Sequence, residues 1–234
     1  MSTNAAQYAG IPVSNLPAEE RKAFIWRTYA HVVGAILAFA GIESYFFSSG
    51  VAATFVPIML QQSWLLILGA FMIVSWGASY LAMRIESRGL QYATFAVFVF
   101  AQAIITMPLL AIAMSYPNAS GMIESAAVVT LIGAAGLMAV VMITGKDFSF
   151  LRSIMVWGGI LALVAIVSAV IFGFELGTWF SVAMIGFAGG AILYDTSNIM
   201  RHYPGDRHVA AAMSLFASIA MMFWYVLRLF MSRE

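Results

Sequence analysis

The chain has 234 residues, 63% of them hydrophobic and only 9% charged, with a net charge of +1. Soluble domains carry about 25% charged residues, so a water-soluble globule is excluded and a polytopic membrane protein is expected. The absence of cysteine removes disulfides, thiolate metal sites and cysteine nucleophiles together.

Residues 1–22 are rich in Ser, Asn, Ala and Pro and end in Glu-Glu-Arg-Lys. They read as a short cytoplasmic tail before a single membrane domain, residues 23–234, and lack the basic start and apolar run of a signal peptide. Apolar segments then follow, each near the ~20 residues that a ~30 Å hydrocarbon core requires. The spans are placed at Ile25–Phe47, Trp64–Met83, Leu90–Ser115, Ser125–Gly145, Ile154–Phe174, Thr178–Met200 and Val209–Met231. The fold class is therefore an all-α integral membrane bundle of seven helices. Pro108 interrupts the third span and is tolerated where neighbours re-satisfy the freed carbonyl. The clusters Gly133-Ala-Ala-Gly136 and Gly186-Phe-Ala-Gly-Gly190 suit close helix approach, and Trp26, Trp64, Trp179 and Tyr203 fall near interfaces, as aromatic belts do.

Lysine and arginine set the orientation. Nine of the eleven (Arg21, Lys22, Arg27, Arg84, Arg88, Lys146, Arg152, Arg201 and Arg207) fall on one side. The loops 48–63, 116–124 and 175–177 carry none, and Arg228 and Arg233 lie at the far end of the last span. The N-terminus is expected to be cytoplasmic. A re-entrant last span would place all eleven there, so charge alone leaves the C-terminus open.

Few ionisable groups lie well inside a span. Asp195 sits about a turn and a half before the polar loop 201–208, at a depth where a bare carboxylate costs roughly 2.5–3.5 kcal/mol. At helical spacing it shares a face with Asn198 and His202. Ser214 and Ser218 form an i, i+4 pair on the last span. At a 1.5 Å rise, Ser218 lies roughly 15 Å and Asp195 roughly 20 Å from the end of the loop, so the two are at comparable depth. Asp195 is then either a paired packing residue or a protonatable, cation-contacting group. A basic side chain is expected beside it, and Arg84, entering from the same side, is the candidate inner latch. Snorkelling accounts for Arg27, and His31 reads as a hydrogen-bonded packing residue.

Several chemistries are set aside. Lys22 and Lys146 are the only lysines, so no mid-membrane Schiff base can form. H-E-x-x-H and G-x-S-x-G are absent. Tyr194-Asp195 has no second mid-membrane aspartate with which to share a proton. No phosphate loop or dinucleotide fingerprint appears, and neither an enzyme nor a nucleic-acid partner nor a resident cofactor is expected.

Four stretches carry a family resemblance: Trp26-Arg-Thr-Tyr29 at the opening of span one, Pro108 in span three, Thr144-Gly-Lys-Asp-Phe-Ser-Phe-Leu151 between spans four and five, and Ala191-Ile-Leu-Tyr-Asp-Thr-Ser-Asn-Ile-Met200 in span six. The chain resembles the Bax inhibitor-1/YccA family over nearly its whole length, and Asp-Thr-Ser-Asn-Ile is most similar to the bacterial YccA-like branch. The resemblance implies a last helix that is central, surrounded by the other six. It also implies a pH-sensitive calcium leak governed by two aspartates, in which any calcium is transient cargo. Asp195 matches the first aspartate; Ser218, in Leu215-Phe-Ala-Ser-Ile219, stands where the second would be. Two close carboxylates share a proton, whereas a carboxylate beside a hydroxyl lacks that repulsion. The other implied role is partnership with a membrane-anchored ATP-dependent protease in the bacterial inner membrane, with the N-terminal tail as docking element. The family also pairs an arginine at the position of Arg228 with an acid at the start of span two. That stretch here reads Gln61-Gln-Ser-Trp64, so Glu43, at the same depth on span one, becomes the candidate partner in an outer lock.

Overall fold

The computed structural model describes residues 10–233. A 3-10 turn, Val13–Asn15, precedes eight helices: α1 (Ala18–Ser48), α2 (Val51–Gln61), α3 (Trp64–Arg84), α4 (Arg88–Ala113), α5 (Ala119–Thr144), α6 (Leu151–Phe172), α7 (Gly177–Arg201) and α8 (His208–Met231). Seven are long and apolar enough to cross a bilayer, as lipid demands of a chain that must satisfy its own backbone hydrogen bonds. The protein is a multi-pass membrane protein.

α1 begins seven residues before the expected span, because Pro17 caps it and Glu19 and Glu20 occupy the first turn, where acidic groups suit the helix dipole. α2 lies in a stretch expected to be loop. At 11 residues it is too short to cross, and it lies against α1 and α4 with Ala52 and Val56 buried. Pro108 is accommodated inside α4, where the nearby Thr106 hydroxyl donates to the Gln102 carbonyl at 2.7 Å. Gly145 closes α5 with φ +60°, its N–H bonded to the Val141 carbonyl at 2.9 Å, a left-handed cap that a side chain would strain.

α8 is the centre. It packs against α1, α3, α4, α5 and α7, and Ala210, Ala211 and Ala212 are buried along its first turn. The family arrangement placed all six other spans around it, but α6 stays outside, against α7 and α3. α6 has no buried residue of its own. It docks on α7 through glycine, since a Cβ at Gly158 would stand 2.7 Å from the Phe187 ring and one at Gly190 3.0 Å from Met155 Cε. Withdrawal of α6 leaves a cavity of about 910 Å³ between α3, α4, α6 and α8.

The described part of the N-terminal segment is not a free tail. Val13 is fully buried and its N–H bonds to the Tyr203 carbonyl at 2.9 Å; the Gly205 N–H returns a bond to Ile11 at 2.9 Å. Gly10 reaches Asp206 Oδ1 at 3.4 Å. Residues 10–16 are thus stitched to the α7–α8 connection. The part of the expected docking tail formed by residues 1–9 lies outside the described residues.

Candidate functional site

α7 and α8 form the most extensive helix pair of the bundle, an antiparallel hairpin closed by residues 202–207. Asp195 lies on the inner face of α7, 5% exposed. The Ser214 hydroxyl donates to Oδ1 at 2.7 Å and the Ser218 hydroxyl to Oδ2 at 2.6 Å. Two residues one helical turn apart therefore hold the two oxygens of one carboxylate, which follows from the i, i+4 spacing on α8. Both distances lie within the ordinary range for a hydroxyl donating to a carboxyl oxygen. Ser218, reached in sequence by counting depth along the hairpin, meets Asp195 directly.

The serines have a second environment. Ser214 and Ser218 also line the large cavity, together with Tyr225 and Arg228 further along the same face of α8. Asp195 does not line it, so the two hydroxyls stand between the carboxylate and the cavity. Tyr203 completes the inner end. It was expected in an interfacial belt but turns inward beside Ser214 and Asp195, and burial, then the charge of Asp195, pushes its hydroxyl up. Nothing in the sequence marks it apart from its adjacency to the hairpin loop.

The expected inner latch does not form. Arg84 is exposed, its guanidinium 5.3 Å from the centre of the Tyr80 ring, and among the described residues no ion pair reaches Asp195. The reason is architectural: α3, which carries Arg84, does not pack against α7. The stripe Asp195–Asn198–His202 also divides. Asn198 ends α7 through its carbonyl, which accepts from the His202 N–H at 2.8 Å. His202 turns outward to Asp147 Oδ2 at 3.8 Å.

That contact belongs to a separate inner cluster. The Ser197 hydroxyl donates to Asp147 Oδ1 at 3.2 Å and accepts from the Phe148 N–H at 3.0 Å. The Ser149 N–H donates to Asp147 at 2.9 Å, and Arg201 reaches the Gly145 carbonyl. The Ser149 backbone bond, aided by the Ser149 and Ser197 hydroxyls and by His202, holds the Asp147 carboxyl below the usual range against a smaller opposing effect of burial. The Thr144–Leu151 motif is thereby a turn fastened onto the motif of α7. On α1, His31 Nδ1 lies 2.6 Å from the Arg27 carbonyl and the ring stacks on Tyr92 at 5.4 Å.

The outer lock is absent as well. Glu43 is 5% exposed, and neither of its oxygens has a hydrogen-bond partner. It lines a chamber of about 250 Å³ with Phe216, Ile219 and Phe223 of α8. Arg228 lines the large cavity instead. At 100° per residue the two sets lie roughly half a turn apart on α8, so the helix itself separates acid from base.

The sequence profile of the family described as "Inhibitor of apoptosis-promoting Bax1" matches residues 21–234. The chain is also 33% identical over 127 residues to an uncharacterized protein of Pseudomonas aeruginosa, an alignment covering 53% of this chain and 55% of that relative. The chain thus spans about half the length of that curated relative. A match over nearly the whole chain places it in the Bax inhibitor family: the chain belongs to that family.

Proposed function

We propose that the protein is a passive cation leak, tested first with calcium, in a bacterial plasma membrane with its N-terminus inside. Asp195 is the charged constriction and its protonation is the gate. One observation carries this reading: a buried carboxylate without a basic partner is held by two serine hydroxyls that also face a large cavity. An intramembrane carboxylate is by default a functional group. Ionised, Asp195 accepts both hydroxyls and attracts a cation arriving along the serine face. Protonated, it loses the attraction and must donate one of those bonds. Tyr203 is a further titratable side chain set beside it. The excess of basic residues on one side supports the orientation.

The test is purified protein in liposomes loaded with a calcium dye. Flux is expected to rise with pH as Asp195 ionises, and Asp195→Asn should be low and flat. Ser218→Asp places a second carboxylate against the first, and like-charge repulsion should move the flux profile to higher pH. Absence of flux at every pH would overturn the leak; an unchanged profile in Ser218→Asp would remove Asp195 as its gate.

A further inference from the structure

Glu43 lies about 7.5 Å, at 1.5 Å per residue, from the end of α1. It faces a chamber walled by Leu110 of α4, Ala127 and Thr130 of α5, and Phe216, Ile219 and Phe223 of α8. Both carboxyl oxygens and the Thr130 hydroxyl are buried and without hydrogen-bond partners. An isolated ionised carboxylate cannot persist in such surroundings; it must meet a positive partner or be neutralised.

Among the described residues, no element packed on α1 or lining the chamber supplies one. α2 contains no ionisable residue, and neither does the Val13–Asn15 turn. On α4, Arg88 begins the helix while the chamber is met at Leu110. Glu124 of α5 is exposed and has the wrong sign. On α7, Asp195 is held by Ser214 and Ser218, and Arg201 is bound to the Gly145 carbonyl. On α8, His208 opens the helix beside His31, while Arg228 lines the other cavity. Positive charge must therefore come from outside the described residues. The oxygen count decides its kind, because calcium takes roughly six to eight oxygen ligands and the chamber wall offers the three unpartnered atoms of Glu43 and Thr130.

We infer that the Glu43–Thr130 chamber is a proton-binding site, in which the carboxyl of Glu43 takes up H⁺ from bulk water and shares it, directly or through water, with the Thr130 hydroxyl. A buried water needs about two to four polar partners, which these three atoms provide. The site is separate from the Asp195 hairpin, and its existence does not depend on ion flux.

Infrared difference spectroscopy of the full-length protein in lipid at neutral pH tests it. Glu43→Gln should lose the carbonyl stretch of an un-ionised carboxyl group. Thr130→Val, nearly isosteric, should shift that band to higher frequency, and Thr130→Ser should restore it. The Thr130 pair reads the native Glu43, so the test stands if Glu43→Gln fails to fold. Loss of an ionised-carboxylate band in Glu43→Gln would overturn the proposal in favour of a metal ion or an ordinary salt partner. A band indifferent to Thr130→Val would overturn the shared site. Either result leaves the flux experiment on Asp195 unaffected.

Discussion

Asp195 and Glu43 both carry 5% exposed carboxyl groups inside one helical bundle, yet they are supported in opposite ways. Asp195 has a hydroxyl for each oxygen; Glu43 has none. The difference arises on α8, whose two faces are unlike. One carries Ser214 and Ser218, and the other presents Phe216, Ile219 and Phe223. Burial alone therefore does not define a polar site here; the residue one turn along the facing helix does.

The sharpest way to break the contrast is to make Asp195 resemble Glu43. Ser214→Ala with Ser218→Ala leaves the carboxylate without donors, and each lost bond to a buried charged group costs about 1–3 kcal/mol. The pair is expected to lower stability in detergent by about 2–4 kcal/mol, the largest effect among these changes. A thermal melt indistinguishable from the parent would mean that water replaces both hydroxyls.

Removing the unsupported acid should have the opposite sign. Glu43→Leu combined with Thr130→Val exchanges both buried polar groups of the chamber for apolar ones of similar shape, a change that is often nearly neutral or stabilising. A gain of about 1 kcal/mol is expected by the same melt. Combining it with Arg228→Gln should give additive effects within about 0.3–0.5 kcal/mol, as for sites that share no partner. A larger coupling would restore the outer lock.

The smallest effect concerns Asp147, an exposed carboxylate with several donors. Asp147→Asn should cost roughly 0.5–1 kcal/mol after allowance for solvent screening. Its carboxyl is held low in the folded protein, so its contribution is present above the ordinary carboxylate range and is lost as pH falls through the lowered value. The difference between parent and variant should therefore vanish in acid; a difference that grows in acid would contradict the assignment.

The spans were legible because length and hydropathy report membrane crossing almost directly, and the meeting of Asp195 with Ser218 followed from rise per residue along one hairpin. α2 was illegible, since eleven residues containing Pro57 look like an apolar loop. The two charge pairings failed for one shared reason. Sequence gives the depth of a residue in the membrane, and Arg84 and Arg228 were placed at suitable depths. It does not give azimuth, the direction in which a helix turns its faces, and that depends on which helices touch. α3 does not touch α7, and α8 stands between the Glu43 chamber and Arg228.

The central position of α8 has a consequence for how the protein is made. Chains emerge N-terminal part first, at about 5–20 residues per second, so α1 to α7 enter the membrane before the helix they surround. Until α8 arrives, the inward faces of α1, α4, α5 and α7 have no common surface to pack on, and Asp195 has neither of its hydroxyl donors. The central packing of the bundle is therefore completed only when α8 arrives. A ribosome stalled before His208 would leave a seven-helix intermediate with an unsatisfied carboxylate facing its empty centre, a form that membrane quality control could recognise by that charge.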